Sequence, residues 1–213
     1  MAAPGWRPHS LRRPVAVSEA TLALFGTSAD PPTLGHRALL EGLADHYGEV
    51  ATWASDNPLK QHGAPLELRA QMLNTLICSL NNPQIHLEQE LSHRWAIETM
   101  QRAAERWPER SLVFVVGGDL AGQIPQWHRA QELLQSFRLA VVPRRGYPLD
   151  PQALETLRQL GAELEVLELS IPASASSEVR QQPQRDTIPE VIWRELLKHN
   201  LYGLGQQAQH APR

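Results

Sequence analysis

One cysteine, Cys78, is the whole thiol content of the chain. An intramolecular disulfide and a multi-cysteine zinc site are therefore excluded, and a reducing, cytoplasmic setting is the simplest expectation. Long hydrophobic runs are absent too. Nothing approaches the roughly 20 apolar residues that span a bilayer, and the first residues lack the compact apolar stretch of a signal peptide. Charge of one sign is also scarce, since 20 Lys and Arg stand against 23 Asp and Glu for a formal net charge of -3. A broad electrostatic grip on nucleic acid or an anionic membrane is thereby not indicated, and any phosphate ligand must be held locally. The Walker pattern and G-x-G-x-x-G are both missing, which removes the ordinary P-loop and the dehydrogenase fingerprint.

What is present is an ordinary globular composition, 42% hydrophobic and 20% charged over 213 residues, enough for one ample domain with a real core. Short apolar runs read as strands: TLALFG at 21–26, EVATWA at 49–54, QIHLE at 84–88, SLVFVVG at 111–117, FRLAVV at 137–142 and the weaker LEVLEL at 164–169. Between them, HRALLEGLADHY, LELRAQMLNTLICSL, AIETMQRAAERW and PQALETLRQLG repeat apolar residues at helical spacing. This alternation predicts an α/β fold, a mainly parallel sheet flanked by helices. SSEVR and IPEVIWRELLKHN add a short helical region over about 174–213, with Pro189 expected in the first turn of its last helix. Arg7, Arg12 and Arg13 precede any acid, as in an organelle transit peptide, but shortness and three prolines favour a loose tail over 1–20. Residues 21–213 are then expected to form a single domain.

In open α/β sheets ligands sit beyond the carboxyl ends of the strands, so the residues just after each strand carry the functional information. The first strand runs into Gly26, Thr27, Ser28, Ala29, Asp30, Pro31, Pro32, Thr33, Leu34, Gly35 and His36 before a helix begins. Free N–H groups at a helix start favour an anion there. His36 adds a ring N–H that can follow charge onto a bridging phosphate oxygen, Gly35 lets backbone approach closely, and Thr33 adds a hydroxyl. The plainer reading is that Thr33 caps the helix and His36 merely begins it. Downstream, Ser176, Ser177 and Arg180 offer hydroxyls and a guanidinium that suit a second phosphate cradle, or a serine-rich turn capping a surface helix.

The tetrapeptide Thr33-Leu34-Gly35-His36 resembles the (H/T)-x-G-H signature of the nucleotidyltransferase superfamily. Its preceding G-T-S-A-D-P resembles the G-T-F-D-P of the bacterial nicotinate-nucleotide adenylyltransferases. The segment from Ser174 to Arg180 is similar to that family's I-S-S-T-x-I-R, with Ser174 and Ala175 departing from it. The resemblance extends in order over about 190 residues and implies a Rossmann-like nucleotidyltransferase fold. It implies transfer of AMP from ATP to nicotinate mononucleotide, yielding nicotinate adenine dinucleotide and pyrophosphate for NAD biosynthesis, with Mg2+ riding on the ATP phosphates and no dedicated protein ligands.

On that resemblance, His36, Thr33 and Arg180 are the catalytic set. Gly26, Thr27, Ser28, Gly35, Gly117, Asp119, Ser176 and Ser177 complete the ATP site, Gly117 and Asp119 matching the family's G-x-D. Trp127 matches a tryptophan that stacks on the pyridine, with the backbone N–H of His128 suited to the carboxylate. Thr99 is kept from the family's Y-T-x-x-T-L, where Trp95 replaces Tyr and Ala96 replaces the first Thr. Asn57 and Lys60, in a loop similar to N-P-P-H-K, would hold the mononucleotide, with the register of Lys60 and His62 open. Arg69 fits the family's R-x-x-M or is a solvated helix charge. A homo-oligomer is compatible with the sequence. Two other functions compete: a phosphopantetheine-type adenylyltransferase sharing T-x-G-H, and a nucleotide-binding regulator that lost turnover through the changes at Thr33, Ala96 and Ala175.

Overall fold

The computed structural model describes residues 21–57, 60–143, 148–169, 171–172 and 176–204. The tail expected over 1–20, Ser174 and Ala175 of the downstream signature, and the chain past Leu204 lie outside the described residues. All six apolar runs are strands: β1 (Thr21–Thr27), β2 (Val50–Ala54), β3 (Ile85–Leu87), β4 (Ser111–Gly117), β5 (Arg138–Val142) and β6 (Leu164–Val166). They pair in parallel in the order β3-β2-β1-β4-β5-β6. The order reverses between β1 and β4, which opens a crevice at their carboxyl ends. The strand expected over 164–169 is cut short: the sheet edge ends at Val166, and Leu167 turns inward to bury its side chain.

Alternation along each strand divides the core between two faces. Leu22 and Leu24 of β1 join Ile97 and Met100 of α3 (Ala96–Arg106), Leu133 of α4 (Ala130–Ser136) and Leu157 of α5 (Pro151–Gln159). Ala23 and Phe25 point the other way, to Leu40 and Leu43 of α1 (Leu34–Tyr47) and Leu73 of α2 (Leu66–Leu80). That second face also buries Val179 of α6 (Ser176–Gln181) and Ile192 and Leu196 of α7 (Glu190–Lys198), so the C-terminal helices are packed onto the sheet's own layer. The end of α1 is set by Gly48, whose φ of 83° lets its N–H return to the Ala44 carbonyl at 2.8 Å. Pro189 stands at the N-cap of α7, one position before the first turn in which it was expected, where its missing N–H is equally harmless.

Candidate active site

A cleft of about 790 Å³ opens over the carboxyl ends of β1 and β4, within the range of small-molecule sites. Every residue expected in the site lines it: Gly26, Thr27, Ser28, Thr33, Gly35, His36, Asn57, Lys60, Thr99, Gly117, Asp119, Trp127, His128, Ser176, Ser177 and Arg180. Residues from 26 to 180 converge because they lie at or beyond the carboxyl ends of strands that run in parallel.

The loop after β1 fixes His36 through its ring. Thr33 is the N-cap of α1 and donates its backbone N–H to Nδ1 of His36 at 3.1 Å, with His36 in the N3 position of a capping box. Nδ1 is thereby an acceptor, and the neutral ring carries its hydrogen on Nε2. Nε2 lies 2.8 Å from Oγ1 of Thr27, on the cleft wall. Capping and orientation are thus one arrangement. The Thr33 hydroxyl, expected to meet substrate, is fully buried and 2.9 Å from Nδ1, so it acts through the histidine.

Several other expected contacts have a local partner. Ser176 donates its hydroxyl to the Pro31 carbonyl at 2.9 Å, tying α6 to the first loop, and Thr99 donates to the Leu91 carbonyl at 3.1 Å from a buried position. At Gly26 an added Cβ would stand 2.7 Å from the Trp53 ring, so this glycine makes room for an indole. At Gly117 it would stand 2.5 Å from Oδ1 of Asp119, which keeps that carboxylate close to the strand end.

Asp30 organises the phosphate end and was read from sequence only as part of a motif. Its carboxylate is fully buried and accepts the Gly63 N–H at 2.7 Å, the Ala64 N–H at 3.2 Å and the Tyr202 hydroxyl at 2.6 Å. Arg180 Nη1 donates to the Asp30 carbonyl at 2.8 Å and lies 3.5 Å from its carboxylate. Four stretches of chain therefore meet on one charge, and the donors offset its desolvation. Arg69 has the same character. It is a buried staple and not a solvated helix charge, with Nη1 donating at 2.8 Å to the carbonyls of both Ser28 and Ser55, and Nε to that of Ala64 at 3.1 Å. His62 stands 3.7 Å from Asp30, and burial followed by the nearby Arg69 charge hold its ring below the ordinary 6.5, favouring the neutral form. What sequence could not show for these groups is that Gly63 and Tyr202 come to Asp30 from 33 and 172 residues away.

The far end of the cleft is aromatic. Trp127 meets Phe114 edge-on with centroids 6.4 Å apart, and Trp95 stacks at 4.7 Å and 30° on the ring of His128. Arg94 lies over Trp95, its guanidinium carbon 4.5 Å from the ring centroid. Among the described residues no three His, Cys, Asp or Glu side chains gather as a metal cage, and no helix is long and apolar enough to cross a membrane.

A parallel sheet of this order, with a histidine-bearing loop after β1, defines a nucleotidyltransferase of the cytidylyltransferase-like family, and a model of that family matches residues 24–188. A second comparison narrows the class. The "Probable nicotinate-nucleotide adenylyltransferase" of Synechocystis sp. is 39% identical over 196 residues, covering 85% of this chain and 98% of the relative. The chain belongs to the nicotinate-nucleotide adenylyltransferase family. The same fold occurs in the Plasmodium falciparum nicotinic acid mononucleotide adenylyltransferase complexed with NaAD, with a TM-score of 0.72, 18% identity, and coverage of 86% of this chain and 97% of that one. A complex of that enzyme with APC matches with a TM-score of 0.70, 18% identity, and coverage of 86% and 98%.

Proposed function

We propose that this protein transfers AMP from ATP to nicotinate mononucleotide. One observation carries the reading: oriented phosphate-facing groups and an aromatic wall share a single cleft at the point where the strand order reverses. The nucleoside of ATP lies beside Gly117 and Asp119, its phosphates run past Thr27, Ser28, Gly35 and His36, and Ser177 and Arg180 face the leaving end. The acceptor's ring meets Trp127, its carboxylate the His128 N–H, and its phosphate the loop of Asn57 and Lys60.

The acceptor phosphate oxygen attacks the α-phosphorus in line. A new P–O bond forms as the bond to the β-phosphate oxygen breaks, and the electron pair leaves with pyrophosphate. The nucleophile is already ionised near neutrality, so no general base is required. With ATP bound, His36 Nε2–H exchanges Thr27 Oγ1 for the phosphate oxygens, where its hydrogen bond is worth most as negative charge moves onto the leaving group. Arg180, tethered by its Nη1 to Asp30, adds fixed positive charge. These phosphate-facing groups are donors and suit phosphate oxygens, so Mg2+ would be held by the nucleotide itself, where it neutralises phosphate charge as a Lewis acid. The setting for this reaction is cytoplasmic.

Pyrophosphate release from ATP, measured with nicotinate mononucleotide, nicotinamide mononucleotide and phosphopantetheine in turn, tests the reading. Release with the pyridine acceptors alone is the expected result. Release with phosphopantetheine would assign the chain to the related enzyme, and ATP binding without release to any acceptor would make it a regulator.

A further inference from the structure

Resting on the adenylyltransferase reading, we infer that Arg94 selects a carboxylate over a carboxamide on the pyridine ring of the acceptor. The aromatic end of the cleft has few side chains able to tell these substituents apart. Ala96 brings no hydroxyl, and the Thr99 hydroxyl is engaged by the Leu91 carbonyl. Arg94 is exposed on the cleft wall, beside Trp95 and His128, and it is cationic.

Its neighbours leave the charge available. Glu98 pairs with Arg129 at 2.9 Å and Glu90 with Arg106 at 3.4 Å, and among the described residues no carboxylate meets Arg94. What holds the guanidinium is the Trp95 ring beneath it, which in turn stacks on His128. A guanidinium resting on a ring face keeps its N–H groups at its own rim, in the planar fork that suits a carboxylate. Nicotinate offers two anionic acceptors to that fork. Nicotinamide offers one neutral acceptor and an NH2 group that cannot accept, so it gains less from the same contact.

The test uses the full chain and its Arg94→Ala and Arg94→Lys variants. Pyrophosphate release is followed at saturating ATP, with kcat/KM measured for nicotinate and nicotinamide mononucleotides. Arg94→Ala should shrink the ratio of nicotinate to nicotinamide use by about tenfold, mainly through KM for the nicotinate acceptor, a size typical of a charge-assisted contact in a partly open site. Arg94→Lys, which keeps the charge but loses the fork, should fall between. An unchanged ratio, or an equal loss with both acceptors as for a contact to the shared phosphate, overturns the assignment of Arg94 and leaves adenylyl transfer intact. A parent chain that uses neither acceptor removes the functional reading itself.

Discussion

Replacing Tyr202 with Phe deletes one hydroxyl from the buried cluster that indexes the phosphate end of the cleft. That hydroxyl donates to Asp30 Oδ1 at 2.6 Å. A hydrogen bond to a charged group contributes about 1.5–3 kcal/mol. Because Asp30 keeps the Gly63 and Ala64 N–H groups and Arg180, the lower end of that range applies, about 1.5 kcal/mol. For a domain of this size, roughly 2–4 °C of Tm accompanies each kcal/mol, so Tm should fall by about 3–6 °C. Alkali gives an independent readout. Burial first, then the bond to Asp30, hold the Tyr202 phenol above its ordinary 10.0. The folded chain keeps a proton that the unfolded chain releases, so this stabilisation is full below about pH 10 and declines as pH rises further. Tyr47, bonded to Glu165, contributes with the same sign, so Tyr202→Phe should lessen the alkaline loss without abolishing it. The loop of residues 60–64 loosens with its anchor, and KM for the acceptor should rise severalfold. Thermal melts between pH 8 and 10.5, with acceptor kinetics at pH 7.5, check all three; unchanged Tm and an unchanged alkaline slope would refute the role given to Asp30.

His36→Ala removes the oriented Nε2–H and should cut turnover by about 10² to 10³, measured as kcat at saturating substrates and well below Tm. It also leaves the Thr33 N–H without its acceptor, so a loss of about 1–2 kcal/mol of stability accompanies it; near-normal turnover would take His36 out of the mechanism. Arg180→Lys keeps charge but cannot reproduce the planar contacts to Asp30 and the phosphates, so it should raise KM for ATP and remain impaired in kcat/KM. If Arg180→Ala turned over ATP normally, the downstream cradle would be misassigned.

The sheet was legible because its central strands are dominated by apolar residues and each long helix repeats apolar residues at helical spacing. The site was legible for a related reason: parallel strands deliver their following loops to one edge, so Thr27, Gly117 and Arg180 share a cleft. Burial of charge was not legible. Asp30 and Arg69 look like loop and surface residues because the groups that satisfy them are carbonyls, N–H groups and a phenol supplied by distant segments. Helix α4 was missed as well. It is only about two turns long and enters through Arg129 in the left-handed region at φ 54°, with no capping side chain to announce it. At Gly26 the motif pointed to a ligand, whereas the close approach is to Trp53, an adjacent strand's side chain that no local pattern reveals.

Product identification tests the central claim most directly. The purified chain, supplied with ATP, Mg2+ and nicotinate mononucleotide, should form nicotinate adenine dinucleotide and pyrophosphate in equal amounts, with kcat/KM at least about tenfold above that for nicotinamide mononucleotide. Equal use of the two acceptors would contradict the nicotinate assignment, and absence of dinucleotide with both would contradict adenylyl transfer to a pyridine nucleotide.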